Sequence, residues 1–353
     1  MDLQAHLKAQ QIKIQDLAKA LAVDASFMSR VVSGQRKLQA QQVAKLAKYL
    51  SLPLADVQAY FLSIEVQKLL APYPKLVQQV FKLTEERMVY LRSHKGASHF
   101  PIPAQFDAQL AELTRLQQQW QALKPLDATQ VLKLKSFFHT AYTYESNRIE
   151  GNTLSLQETH LVVNEGITIG GKTMREHLEA INHQEAIDLM EGLVQNATVL
   201  NKAVLLQIHQ LVLKGIDNSN AGKYRQVQVA IAGSKHMPPS PLLLDELMEG
   251  YFDFYERNKR HLHPVILATE MHQRLVSIHP FIDGNGRTAR LVMNLILLQN
   301  GYTIVNLKGN PKNRLKYYQA LEQIQLNHEH TDFYQLILSA AEKSLKMHME
   351  MGG

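Results

Sequence analysis

A histidine, a carboxylate, a glycine-flanked asparagine and two arginines fall within the twelve residues His279-Pro280-Phe281-Ile282-Asp283-Gly284-Asn285-Gly286-Arg287-Thr288-Ala289-Arg290. His279 is the only group here whose unperturbed pKa lies near neutrality, as a general base requires. Asp283 offers the hard oxygen ligand that Mg²⁺ takes between phosphates. Glycines let a phosphate approach the backbone, and the unpaired N–H groups and dipole of a helix start attract it. Arg287 and Arg290 lie three apart, so one helical turn can aim both at the same anion. Together these parts suggest a nucleotide polyphosphate held for attack by a deprotonated hydroxyl. The competing reading is a surface loop whose Asp and Arg residues pair with each other, and all six residues in this order argue against it.

The flanking patterns say what holds these groups. Pro264–Ile278 reads as a helix, with proline suited to its first position. Residues 287–299 form a second helical pattern, apolar at Leu291, Val292, Leu295, Ile296 and Leu298, and stopped by Asn300-Gly301. The stretch is therefore a helix–loop–helix corner, with Gly284-Asn285-Gly286 where the second helix begins.

The stretch matches in full the pattern His-x-Phe-x-(Asp/Glu)-Gly-Asn-Gly-Arg-x-x-Arg and so resembles the Fic family of protein adenylyltransferases, which move AMP from ATP to a hydroxyl side chain of a target protein. The resemblance implies ATP and Mg²⁺ as cofactors, His279 as the base that deprotonates the hydroxyl, and Asp283 as the Mg²⁺ ligand. It further implies that Gly284, Asn285, Gly286 and Arg287 hold the α- and β-phosphates and Arg290 the γ-phosphate. Phe281 would anchor the loop in the core. Tyr317-Tyr318 resembles a family position near the adenine.

A chain of 353 residues has room for two or three domains. At 45% hydrophobic and 20% charged it has the composition of an ordinary soluble protein. The N-terminus lacks a signal-peptide pattern and no apolar run is long enough to span a membrane, so a cytoplasmic protein without membrane association is expected. The absence of cysteine excludes disulfides and thiolate metal sites. The sixteen histidines have no metal-ligand spacing, and no structural metal is assigned.

The net charge of +6 is uneven. Residues 1–62 hold eight basic and four acidic residues, and the rest holds 30 basic and 28 acidic. That first segment reads as five short helices. One spans 14–21, Val23-Asp24 makes a turn with Asp24 as N-cap, and a second helix covers 25–32 before Ser33-Gly34. Two short helices across a tight turn describe a helix-turn-helix, and the segment resembles the repressor-like Cro/cI family. By that resemblance helix 25–32 enters a DNA major groove, with Ser26, Ser29 and Arg30 toward bases and Gln35, Arg36 and Lys37 toward phosphate. A protein-interaction bundle with a solvated basic face is the alternative. Residues 63–128 read as a helical connector in which 105–123 is amphipathic and Trp120 is a core residue.

Two further patterns need weighing. Gly166-Ile167-Thr168-Ile169-Gly170-Gly171-Lys172-Thr173 satisfies the P-loop pattern, but its surroundings read as helical, whereas a P-loop needs a preceding strand and a parallel sheet. Residues 224–231 alternate apolar and polar, then meet Ala232-Gly233-Ser234 and Pro238-Pro239, which predicts a β-hairpin. In Fic proteins the matching hairpin is a flap to which target backbone adds as an extra strand; Val227, Val229 and Ile231 would form one face of it.

Ser146-Asn147-Arg148-Ile149-Glu150-Gly151 matches the (Ser/Thr)-x-x-x-Glu-(Gly/Asn) inhibitory motif of autoinhibited Fic proteins, which makes Ser146 and Glu150 inhibitory residues by resemblance. Glu150 ends a helical pattern that starts near Thr129, so it needs a cationic partner, and Arg290 is the one the family pattern supplies. The expected protein is mainly α: a five-helix helix-turn-helix domain (1–62), a helical connector (63–128), and a Fic-fold helical core (129–353) with a β-hairpin flap and the inhibitory motif at 146–151. It transfers AMP to Ser, Thr or Tyr of a target protein and of itself. Removal of AMP, with Glu150 positioning water, is one alternative; a DNA-binding regulator whose Fic domain only senses nucleotide is another. Expected partners are the target protein and DNA, with a homodimer left open.

Overall fold

The computed structural model describes residues 3–94 and 102–352, and the chain divides into two compact units, Met1–Glu86 and Arg87–Gly353. In the first unit α1 (Leu3–Ala9), α2 (Ile14–Leu21), α3 (Ala25–Val32), α4 (Ala40–Tyr49) and α5 (Leu54–Leu70) enclose a core built from Leu3, Leu17, Met28, Val31, Leu46 and Val57. The turn between α2 and α3 is fixed at both ends. Ala22 adopts the left-handed conformation and returns its N–H to Ala18 and Lys19. Asp24 caps α3, accepting from the Ser26 and Phe27 N–H groups at 2.7 and 3.3 Å. Ser26, Ser29, Arg30, Gln35, Arg36 and Lys37 are all exposed. Arg30 Nε donates to the Ser26 carbonyl at 3.3 Å, and Lys37 pairs with Glu65 of α5 at 2.5 Å. Helix α5 runs on through residue 62, and α6 (Val77–His94) follows it.

The second unit contains α7 (Asp107–Ala122), α8 (Ala128–Ile149), α9 (Leu156–Glu165), α10 (Met174–Gln195), α11 (Lys202–Leu213), α12 (Leu244–Asn258), α13 (Pro264–Ile278), α14 (Asn285–Gln299), α15 (Pro311–Asn327) and α16 (Thr331–Gly352). Its centre is the pair α13 and α14, buried without interruption over 265–273 and 291–297. A helix buried on every side needs a shell of other helices around it. That shell is α8, α10 and α11 against α14, and α12, α15 and α16 against α13. The short corner between α13 and α14 is thus held from both sides. Trp120 is a core residue, its ring edge-on to His348 of α16 at 5.5 Å, and Leu110, Leu113 and Leu116 of α7 enter the same core.

The hairpin expected over 224–239 does not form: no β-ladder occurs there or elsewhere among the described residues. The turn at Ala232-Gly233 is present, with Ser234 N–H returning to the Ile231 carbonyl at 3.1 Å. The returning arm contains Pro238-Pro239, which has no N–H to give a ladder. Side chains bind the carbonyls instead: Gln228 Nε2 donates to Pro238 O at 2.7 Å, and Arg225 to Val227 O and Pro239 O at 2.9 and 2.6 Å. Val227 is therefore exposed, while Val229 and Ile231 are half-buried in a side-chain-braced loop.

The P-loop pattern is no phosphate cradle. It follows helix α9, Gly166 closes that helix in the left-handed conformation, and Thr173 caps α10. Lys172 is spent on the Thr153 carbonyl at 2.6 Å. Among the described residues no helix is long and apolar enough to cross a membrane.

Candidate active site

Helix α13 ends at His279, whose φ of 52° places it in the left-handed region while its N–H still reaches the Leu275 carbonyl at 2.9 Å. Its Nδ1 lies 3.2 Å from the Val276 carbonyl. A carbonyl only accepts, so Nδ1 carries the proton and Nε2 keeps its lone pair. Nε2 has no hydrogen bond among the described residues, and His279 borders the cleft. Burial, aided by the nearby Arg225 guanidinium, pushes its pKa down to about 4, so the imidazole is neutral at pH 7.

The loop is braced from within. Phe281 is fully buried and stacks on His209 at 3.6 Å. Asn285 accepts from Phe281 N–H at 3.0 Å and donates to its carbonyl at 2.9 Å, so its side chain serves the loop and its backbone N–H faces the helix start. Gly284 has a φ of +79°, and a Cβ there would press Val212 and His209 at 3.1 and 3.4 Å.

The two arginines do not converge. Arg287 is buried, with Nη2 3.3 Å from Asp283 Oδ1 and Nη1 3.2 Å from Glu179 Oε1, an ion pair short of hydrogen-bond alignment. Arg290 is also buried and turns to α8. It donates from Nη2 to Glu150 Oε1 at 2.7 Å and to Ser146 O at 2.9 Å, and from Nε to Ser146 Oγ at 3.0 Å. Positions three apart on a helix point in different directions when each has its own carboxylate partner. The expectation that both aim at one anion therefore fails in this state. Burial opposes the charge on Arg290, but Glu150 and Tyr317 more than offset it, holding its pKa above the ordinary value. Glu150 is the C-cap of α8 and lies over the first turn of α14, where a Cβ on Gly286 would collide with Glu150 Oε1.

Asp283 holds both neighbouring cations. Oδ1 accepts from Gly284 N–H at 2.5 Å, and Oδ2 from Arg175 Nη2 at 2.5 Å. Burial alone would raise its pKa; Arg287, the Gly284 N–H and Arg175 outweigh it and hold the carboxyl below the usual range. Among the described residues no cluster of three or more His, Cys, Asp or Glu could hold a metal. One cleft-facing carboxylate still fits Mg²⁺, which takes the rest of its shell from waters and substrate phosphates.

His279, Asp283, Gly284, Asn285 and Gly286 border one cleft of about 660 Å³, together with Glu150, Tyr317 and Tyr318. Loop residues 230–234 line it as well. Residues 199–297 match the Fic/DOC family. The matched segment begins just before α11 and ends inside α14, so it holds the whole motif corner. The chain is similar to the protein adenylyltransferase Fic of Nematostella vectensis, 37% identical over 197 residues that make up 54% of this chain and 45% of that protein. The Drosophila willistoni protein of the same name is 34% identical over 249 residues, 70% of this chain and 47% of that one. The chain thus spans less than half the length of these curated relatives. A Fic domain-containing signaling protein from Bacteroides thetaiotaomicron is similar in structure, with a TM-score of 0.62 at 25% identity over 68% of this chain and 97% of that one. Fic-1 from C. elegans shares the fold, with a TM-score of 0.63 at 24% identity over 98% of each chain.

Three side chains outside the 279–290 motif hold it in place, and the sequence gives no local sign of them. Arg225, buried in the loop before α12, donates from Nε to the His279 carbonyl at 2.8 Å, and its own N–H bonds Pro280 O at 2.9 Å. His209 of α11 donates from Nε2 to the Asp283 carbonyl at 3.0 Å and accepts Gly222 N–H at Nδ1. Glu179 of α10 gathers Arg175, Arg287 and Asn152. Each partner lies far off in sequence; a buried Arg or His read alone offers no signal.

Proposed function

We propose that this chain is a protein adenylyltransferase that moves AMP from ATP to Ser, Thr or Tyr hydroxyls of target proteins and of itself. One arrangement carries the reading: a neutral His279 with Nε2 free borders the same cleft as the N-terminal turn of α14. The relatives named protein adenylyltransferase support it. The hydroxyl oxygen attacks the α-phosphorus, its proton passes to His279 Nε2, the bond from the α-phosphorus to the bridging oxygen breaks, and pyrophosphate leaves. Gly284 keeps the approach open, its own N–H being held by Asp283, while the backbone N–H groups of Asn285 and Gly286, with Arg287 behind them, hold the α- and β-phosphates. Arg290 serves the γ-phosphate once Glu150 releases it. Asp283 would hold Mg²⁺, whose chemistry is to neutralise phosphate charge. The loop bearing Val227, Val229 and Ile231 is the surface assigned to the target. Incubation with ATP labelled at the α- or the γ-phosphate tests the reaction: label should reach protein from the α position and not from the γ position. Transfer from the γ position, or none from either, overturns it.

A second reading, removal of AMP with Glu150 orienting a water, is favoured by Glu150 Oε2, which has no hydrogen bond among the described residues and belongs to a side chain at the cleft. Incubation with a pre-modified target separates the two.

The N-terminal residues 1–62 we read as a DNA-binding domain, supported by the exposed Arg30, Gln35, Arg36 and Lys37 and by the local basic excess. Binding through phosphates releases counterions, so affinity should fall steeply with salt. Arg36→Ala with Lys37→Ala is expected to flatten that dependence in a filter-binding or anisotropy titration. A full chain that retains no genomic fragment at low salt would remove the DNA-binding half of the proposal.

A further inference from the structure

The two carboxylate oxygens of Asp283 have unequal surroundings. Oδ1 is taken twice from its own loop and helix, by the Gly284 N–H and Arg287 Nη2. Oδ2 has one partner among the described residues, Arg175 Nη2 at 2.5 Å. Arg175 sits in the first turn of α10 with 57% of its side chain exposed, and its Nε is tied to Glu179 Oε1 at 3.2 Å. Glu179 in turn faces Arg287 at 3.2 Å and accepts from Asn152 Nδ2 at 2.9 Å. Two acids and two bases therefore alternate around a closed ring, Asp283–Arg175–Glu179–Arg287, and the ring takes up the oxygen of Asp283 most open to an added cation.

We infer that Arg175 is a built-in counter-ion of the cation site: it holds Asp283 Oδ2 when no divalent cation is bound and yields that oxygen when one binds. The inference rests on the reading of Asp283 as the cation ligand. A guanidinium and a divalent ion on one carboxylate oxygen are like charges in contact, and their repulsion sets them in competition. Arg287 cannot be the one to leave, because its side chain is only 3% exposed and its charge would have no water to go to. Arg175 can leave. More than half of it is already solvated, its ion pair is weak for that reason, and Glu179 keeps it tethered one helical turn away. In this arrangement Arg175 positions Asp283 in the resting protein and raises the cation concentration needed to load the site.

The test is direct binding of Mn²⁺ to the full chain saturated with α,β-methylene-ATP, followed by the Mn²⁺ electron paramagnetic resonance signal. Arg175→Ala is expected to lower the Kd for Mn²⁺ at least fivefold, Arg175→Lys to stay near the parent protein, and Asp283→Ala to weaken binding in either background. Unchanged or weaker Mn²⁺ binding by Arg175→Ala, with Asp283→Ala still weakening it, overturns the counter-ion role alone. Mn²⁺ binding indifferent to Asp283→Ala overturns the cation-site reading, and the counter-ion role with it.

Discussion

His279→Ala is expected to lower AMP transfer by about 10²–10⁴-fold, the range for losing a general base, while ATP still binds. The separation follows from the geometry. Nothing that would hold the phosphates depends on the imidazole: the helix start at Gly284–Gly286 is kept in place by Asn285 bridging Phe281, and Asp283 by Gly284, Arg287 and Arg175. Among the described residues the imidazole makes a single hydrogen bond, to Val276 at the end of its own helix. Its removal therefore spares the loop, and nucleotide binding by the variant should match the parent in an equilibrium titration. Unchanged labelling by His279→Ala would remove the proposed mechanism. The same residue sets the pH dependence. A base must be unprotonated to accept, and a pKa of about 4 leaves His279 competent from about pH 5 upward. Transfer should thus be nearly level between pH 6 and 8. A fall in rate centred near the ordinary histidine pKa would mean that the site, in its working state, is wetter than the resting one.

Local pattern and long-range pairing separate what was legible in advance from what was not. Pro264 at the start of α13, Asn300-Gly301 after α14 and Gly151 after α8 are backbone signals carried by the residues themselves, and the helices end where those residues stand. The Glu150–Arg290 pair was legible because a carboxylate at a helix C-terminus needs a cation and the motif supplies one. The divergence of Arg287 from Arg290 was not, since it depends on Glu179, a residue with no pattern of its own. Arg175 and Asp283 are 108 positions apart, and Arg225 and His279 are 54 apart. Such pairs exist only once α10 and the loop before α12 are packed on the corner. The alternation over 224–231 misled for the converse reason. Period two describes one arm, but a hairpin needs donors on both, and Pro238-Pro239 has none.

Glu150→Gly is expected to raise auto-modification tenfold or more. In the resting structure the Glu150 carboxylate fills two roles that a bound nucleotide would claim. It takes Arg290 at 2.7 Å, and it lies over Gly286 at the N-terminal turn of α14, so the anion-attracting helix start already faces an anion. Under the proposed function, ATP entering against it would lack its γ-phosphate partner and be crowded at the turn proposed for its α- and β-phosphates. A reacting phosphorus out of line with the attacking oxygen forfeits most of the advantage of positioning, which is worth roughly 7–11 kcal/mol when complete; a tenfold gain needs only about 1.4 kcal/mol of it. Removing the carboxylate also leaves Arg290 buried with hydrogen bonds to Ser146 and Tyr317 alone among the described residues, and breaking such a pair costs about 3–5 kcal/mol in a fully buried site. Because Glu150 is 31% exposed, the loss here should be smaller. The variant should therefore melt below the parent without nucleotide and recover most of the difference when ATP supplies the missing anion, a pairing of effects that a merely loosened helix end would not give. His279→Ala in the same chain should silence the gain, since the brake acts on positioning and not on the base. Equal or lower labelling by Glu150→Gly, with the protein still folded and still binding ATP, would make Glu150 a structural counter-ion of Arg290 and leave the proposed activity without this brake.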